Sequence, residues 1–373
     1  MAGIYIHIPY CKKACHYCNF HFSTTKYNMD EMLQAICKEM DLRKNYLSEN
    51  IETIYFGGGT PSIVQPNELN KIMVKIYQLF SVCRDAEITL EANPDDVSAE
   101  NLQAWKNIGV NRLSIGIQSF HQPDLEWMNR AHSATQAVQS IKAAQQAGFS
   151  NLTCDLIYGT PLLTDEKWLQ NLEQIKQLNV PHLSAYALTV EPKTALYAMI
   201  EKRKVENIDA EKQTRQFDML TQWAQANNFE HYEISNFALK GFRSKHNSSY
   251  WQGKNYIGFG AAAHSFDGNS RQWNIANNAL YIRSLQNNSL NFEKEILTIA
   301  NKINEAVMLS LRTMEGIDLE KIEKNFGMPE KQRLLRIAKK WMQKNQLAQK
   351  NNHLILTPSG KHFADGIAAD FFV

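Results

Sequence analysis

Three cysteines close together, Cys11, Cys15 and Cys18, carry the densest reactive chemistry in the chain. They follow the alternating run Ile4-Tyr5-Ile6-His7-Ile8, which Pro9 ends. Three thiolates hold three corners of a cubic iron-sulfur cluster and leave the fourth iron to a small molecule, whereas structural zinc and ordinary electron-transfer clusters take four ligands. A zinc knuckle completed by His16 or His21 is the competing chemistry for the same residues.

The elements that must position this loop form a repeating pattern. Residues 4–8, 51–56, 87–92, 112–117, 152–157 and 182–186 read as strands, separated by helical periodicity over 29–46, 66–80, 98–108, 133–147 and 166–178. Gly109 and Gly148 stand just past two of these helices, where a left-handed cap is expected. Strands alternating with helices imply a parallel sheet wound right-handedly, with reactive groups on the loops at the strands' C-terminal ends. The polar residues fall there: the glycine run 57–59 and Thr60 after the second strand, Glu91 ending the third, Gln118 after the fourth and Asp155 in the fifth. Each has a plain structural reading as an ion-pair partner or turn former. A carboxylate or amide in an apolar strand is costly unless paired, so their convergence on one rim points to a ligand site.

With 373 residues and 44% hydrophobic composition, the chain is long enough for one large domain and one or two smaller ones. The balance of 40 basic to 38 acidic side chains gives no broad field to attract nucleic acid, which is not among the expected partners. Six cysteines, half of them in the opening loop at metal-binding spacing, suit a reducing compartment better than a disulfide framework. Cys37, Cys83 and Cys154 read as buried small apolar side chains. No run approaches the ~18 apolar residues of a membrane span, and the first residues lack a signal-peptide pattern, so a cytoplasmic protein with no integral membrane segment is expected.

The CxxxCxxC spacing with an aromatic, Tyr17, before the last cysteine resembles the signature of the radical S-adenosylmethionine (SAM) superfamily. The resemblance implies a [4Fe-4S] cluster on Cys11, Cys15 and Cys18, with SAM chelating the open iron. A longer match is similar to the oxygen-independent coproporphyrinogen III oxidase family of that superfamily. It runs through Tyr5-Ile6-His7-Ile8-Pro9, residues 57–61, Glu91-Ala92-Asn93-Pro94, Gln118-Ser119-Phe120, Arg130 and Asp155-Leu156-Ile157-Tyr158-Gly159, and spans nearly the whole chain. It implies that Tyr5, Gly58, Gly59, Thr60, Glu91, Gln118, Arg130 and Asp155 contact SAM, with Tyr17 placed to pack beside adenine. Their chemistry suits those roles: glycine admits close backbone approach, Arg130 can pair with a carboxylate, and Glu91, Gln118 and Asp155 can engage hydroxyl or amino groups.

Two departures from the oxidases matter. Phe20 stands where they carry a further cysteine, and the first strand begins almost at Met1, where they have an extension. Both features resemble the paralogous HemW-type heme-chaperone branch. That implies binding of heme and its transfer to an acceptor protein; the alternative is oxidative decarboxylation of coproporphyrinogen III in porphyrin biosynthesis. An electron donor is a further partner if SAM is cleaved.

In the second half, Lys245-His246-Asn247-Ser248-Ser249-Tyr250-Trp251 carries an HNxxYW pattern. The chaperone resemblance implies His246 as a heme ligand, while its chemistry alone equally allows a hydrogen-bonded histidine in a loop. Arg243, Lys245 or Arg271 could meet heme propionates. His264 is less suited than His246 to ligate heme, because the Gly-Ala run around it implies close packing near the cluster or SAM. Gly258-Phe259-Gly260 lacks the strand-helix frame of a dinucleotide fingerprint. From residue 296, three helices and two short strands at 347–349 and 354–357 read as a winged-helix-like module serving as a lid or docking unit. Its basic face around Lys331 to Lys340 reads as solvated. The expected architecture is α/β: an incomplete (β/α)6 TIM-like barrel over 1–190, a connecting and heme-binding region over 191–295, and the C-terminal module over 296–373.

Overall fold

Alternation along the strands decides which face of the sheet is greasy and which is polar. In the computed structural model, which describes residues 2–373, the first six strands are β1 (Ala2–Ile8), β2 (Ile51–Gly58), β3 (Val82–Ala92), β4 (Arg112–Gln118), β5 (Leu152–Tyr158) and β6 (His182–Ala187). They lie side by side in sequence order and are all parallel. Ile4, Ile6 and Ile8 of β1, Ile54 and Phe56 of β2, and Leu113, Ile115 and Ile117 of β4 belong to one buried core with helix residues such as Met32, Ile36, Ile72 and Trp105. Side chains one step along point to the opposite face. There the register aligns Tyr5 with Tyr55, Tyr55 with Thr89, Glu91 with Ser114 and Asp155 with Ser184, giving the concave side a polar lining.

Residues 191–295 do not form a separate body but extend this sheet at both ends. After the helices Ala195–Glu201 and Ala210–Ala226, β7 (Glu230–Glu233) and β8 (Asn236–Ala238) add antiparallel beyond β6. The chain then crosses to the other end, where β9 (Tyr256–Phe259) runs parallel to β1 and carries β10 (His264–Phe266), β11 (Ser270–Asn274) and β12 (Phe292–Ile296). The twelve-stranded sheet is open, with β12 and β7 at its edges, and the incomplete barrel is its central part. β7 reads Glu-His-Tyr-Glu, a polar pattern that only pairing with β8 makes a strand. Gly109 and Gly148 do take positive φ, 98° and 83°, as helix closures. Cys154 is buried, whereas Cys37 and Cys83 are only partly so, a correction to their reading as core residues.

The C-terminal part has its own small sheet of β13 (Ile317–Asp318), β14 (Leu347–Lys350) and β15 (His353–Leu356), in the order β13-β15-β14. Helices Ile299–Leu311, Leu319–Phe326 and Met328–Gln343 pack Val307, Leu311, Ile322 and Leu334 against Leu354 in a second core. The sequence of helix, strand, two helices and two strands is that of a winged helix. Among the described residues no helix is long and apolar enough to cross a membrane.

A buried ionic network fastens β9–β11 beside β1. Arg43, at the end of helix Met29–Arg43, donates to Glu39 (2.8 Å), the Gly258 carbonyl (2.9 Å) and Ser265 Oγ (2.9 Å). Glu39 accepts further bonds from Tyr281 Oη, Asn274 Nδ2 and the Gly260 amide. Removing one partner strands a buried charge, which typically costs about 3–5 kcal/mol. Arg43→Ala is expected to lower unfolding free energy by about that amount in denaturant titrations. A loss below about 1 kcal/mol, the scale of an exposed pair, would contradict this role.

Candidate cluster and ligand site

The cysteine loop leaves β1 and is pinned from below by the glycine run that ends β2. The Gly59 amide donates to the Ile8 carbonyl (2.9 Å) and the Thr60 amide to the Tyr10 carbonyl (2.8 Å). A Cβ on Gly59 would lie 2.6 Å from the Tyr10 oxygen and 2.8 Å from that of Ile8, so only glycine permits this approach. Gly58 has φ 105° and lies against the His7 ring. Thr60 Oγ1 reaches Cys11 Sγ at 3.4 Å. Burial pushes the Cys11 thiol up to about 11, and a metal ion would be needed to hold it as thiolate.

Arg130 joins the loop to the rim. Its guanidinium contacts Cys15 Sγ (3.3 Å) and Tyr17 Oη (3.4 Å), and donates to Asn93 Oδ1 (2.8 Å) and the Gly116 carbonyl (2.9 Å). Its Nε is buried with no partner among the described residues. Gln118, at φ 64° on the end of β4, lies beside it: a Cβ on Gly116 would meet Arg130 Nη2 and Gln118 Nε2, each at 3.1 Å. Deeper in the concave face, Tyr55 Oη donates to Glu91 (2.7 Å) and Ser114 Oγ to Asp155 (3.2 Å). Glu91 and Asp155 share a polar pocket of about 50 Å³ with Tyr55 and Arg112. Tyr5 packs against Tyr55 and donates to His7 Nδ1 (3.1 Å).

These residues therefore form one continuous rim from Cys11 to Asp155. Asn93, His7, Tyr55 and Ser114 belong to it without having been singled out; their signal was a polar side chain at every second strand position or inside the Glu91–Pro94 run. His16 and His21 point elsewhere, His16 to the Trp127 carbonyl (2.7 Å) and His21 to Asn278 (2.7 Å). Among the described residues no three His, Cys, Asp or Glu side chains are drawn close enough to share a single ion. A cubic cluster places each thiolate on a different iron and does not require that. Three thiols without a fourth ligand, a glycine cradle and a guanidinium N–H lacking an acceptor fit a cluster together with a ligand bearing a carboxylate.

His246 lies behind this rim, against Tyr55. It is 1% exposed, with Nδ1 at 2.8 Å from Thr53 Oγ1 and Nε2 at 2.8 Å from Tyr250 Oη, and it stacks on Tyr55 at 4.8 Å. Burial lowers its pKa to about 3, so the ring is neutral. The helix Lys245–Trp251 that carries it plugs the floor of the concave face, its His246 amide donating to Glu87 (3.0 Å). Tyr250 and Trp251 of the same helix face a cavity of about 810 Å³ between the sheet and the C-terminal module, which Tyr5 and His7 of the rim also line. Asn19, Phe20 and His21, directly after Cys18, form part of its wall, and Phe20 is exposed in it. Of the three basic residues considered for propionates, only Arg271 lines this cavity; Arg243 pairs with Glu230 and Glu315, and Lys245 lies near Asp85.

Comparison with known proteins matches this architecture. Residues 5–175 fit the model of the radical SAM superfamily and residues 297–363 that of the HemN C-terminal domain. Fold and loop together define a radical SAM protein with a HemN-type C-terminal domain. Coproporphyrinogen III oxidase (HemN) from Escherichia coli superposes with a TM-score of 0.86 over 100% of this chain and 90% of that one, at 20% identity, a likeness of fold. A protein named heme chaperone HemW from Bacillus subtilis is 32% identical over 100% of this chain and 99% of its own length. One of the same name from Lactococcus lactis is 32% identical over 86% and 84%. The chain belongs to the HemW family.

Two predictions rest on this geometry. Gly59→Ala should displace the Cys11 loop and lower iron and acid-labile sulfide after anaerobic reconstitution; full cluster content would refute the cradle. Burial raises Glu91 to about 7 and Asp155 to about 6, so the fold keeps protons that the unfolded chain releases near pH 4. The metal-free protein should therefore lose stability as pH rises from about 4.5 to about 7, and Glu91→Gln should flatten that slope. Melting temperatures of the two proteins that run parallel across this window would show that Glu91 is ionised throughout.

Proposed function

We propose that this chain is a heme-binding chaperone of the cytoplasm that carries a [4Fe-4S] cluster and SAM and passes heme to an acceptor heme protein. Cys11, Cys15 and Cys18 would hold the cluster. Gly58, Gly59, Thr60, Glu91, Gln118, Arg130 and Asp155 would hold SAM, with Tyr5 and Tyr17 beside it. When bound, the cluster supplies single electrons to the site. Arg130 orients a carboxylate through its free N–H, Glu91 and Asp155 accept from hydroxyl or amino groups, and the glycine run keeps the cysteine loop close against β2.

The observation that carries the heme part is the cavity of about 810 Å³ walled by Tyr250 and Trp251 of the HNxxYW helix and by residues next to the cluster loop. Its size lies in the upper part of the range, roughly 300–1,000 Å³, of small-molecule sites. Relatives named heme chaperones along the full chain add support. Residues 1–190, 191–295 and 296–373 would then serve as barrel, heme-binding connection and lid. Anaerobically reconstituted protein should bind hemin at one equivalent and hand it to an apo-heme protein, followed by absorbance. Conversion of coproporphyrinogen III to protoporphyrinogen IX by the same preparation would overturn the chaperone reading in favour of the oxidase.

A further inference from the structure

The large cavity contains a histidine that the HNxxYW pattern does not include. Phe20, Tyr250, Trp251, Tyr256, Phe266 and Phe326 give it aromatic walls, which suit a flat conjugated ligand. Three histidines line it, His7, His21 and His264, and their rings are not equally free. His7 uses both nitrogens, one toward Tyr5 Oη (3.1 Å) and one toward the His21 carbonyl (2.9 Å). His21 is anchored through Nε2 to Asn278 (2.7 Å) and stacks on His7 with ring centres 6.3 Å apart, so only its Nδ1 is unpaired among the described residues. The His264 ring has no hydrogen-bond partner among the described residues and is solvent-exposed at the wall. It is held by stacking on Trp273, with ring centres 6.1 Å apart, from a paired position in β10. Partial desolvation of the ring against the sheet and the neighbouring Arg271 lower its pKa, which favours the neutral ring with its lone pair.

Charge is placed to match. Arg271 bonds Glu305 through Nε alone (2.8 Å), so its terminal N–H groups remain for an anion, and Lys321 stands on the same cavity wall. Of the carboxylates facing the cavity, Glu305 is taken up by Arg271, and Asp318 caps helix Leu319–Phe326.

We propose that His264 is the axial ligand of heme iron in this cavity, that Arg271 and Lys321 receive the propionates, and that His246 is a positioning residue that fixes the Tyr250 wall from behind. This rests on the heme-binding reading above. The geometry separates the two histidines clearly. His264 presents an unengaged ring to the cavity, whereas His246 would have to give up both Thr53 and Tyr250 and leave the stack on Tyr55 to reach it.

Hemin titration of the full chain distinguishes the roles, with wild type, His264→Ala and His246→Ala compared by Soret position and affinity. His264→Ala removes an exposed ring and should melt like wild type. It should shift the Soret band and weaken hemin binding about tenfold or more, with added imidazole restoring the band. His246→Ala should keep the histidine-ligated Soret position even where affinity falls. A His264→Ala protein that titrates like wild type, or loss of the histidine-type spectrum in His246→Ala alone, overturns the assignment while leaving heme binding intact. Failure of wild type to bind hemin instead overturns the heme-chaperone reading itself.

Discussion

The structure depends on a parallel sheet with two unlike faces. Through their central residues strands β1 to β4 alternate, so isoleucines and leucines turn outward beneath the helices while Tyr5, Tyr55, Thr89, Glu91 and Ser114 turn inward. The outer face supplies the burial that stabilises the fold. The inner face, polar and curved, could not be buried without partners, and most of its groups are answered: Tyr55 by Glu91, Asp155 by Ser114, Thr53 by His246, while Thr89 Oγ1 and Arg130 Nε stay unpaired among the described residues. Because a one-residue slip would exchange the faces, the same alternation sets the register that brings these groups level.

That polar interior explains why the helix Lys245–Trp251 sits where it does. It enters from far along the sequence, caps its start with Ser244, and offers amides to Glu87 and a neutral imidazole to Thr53. Its far end presents Tyr250 and Trp251 to the large cavity. One short helix thus closes the floor of the barrel and, through the His246–Tyr250 hydrogen bond, holds a wall of the large cavity that Tyr5 and His7 of the rim also line.

Close backbone approach is the other device. Gly59 under the cysteine loop and Gly260 against the His7 carbonyl leave no room for a Cβ, at 2.6 Å for Gly59 and closer still for Gly260. The first holds the thiols over the sheet; the second lets β9 leave β1 and turn sharply into β10, which carries His264. The Arg43–Glu39 pair locks that turn in place through Gly258, Gly260 and Ser265.

Much of this was legible without coordinates. Six parallel strands, their helices and the glycine closures follow from local periodicity, and the rim from Cys11 to Asp155 follows from polar residues recurring at the strands' C-terminal ends, because strand geometry alone carries them to one mouth. The three-helix C-terminal module was equally visible, apart from the two-residue β13. What the tertiary structure decided was long-range: that β9 pairs with β1, that the polar β7 becomes a strand, and which side of its helix His246 turns inward. HNxxYW specifies residue types but not their partners, and nothing near His246 in sequence announces Thr53 or Tyr55. The separation of a buried, doubly bonded His246 from an unengaged His264 arises where segments some 200 residues apart meet, and local pattern carries no information about such a meeting.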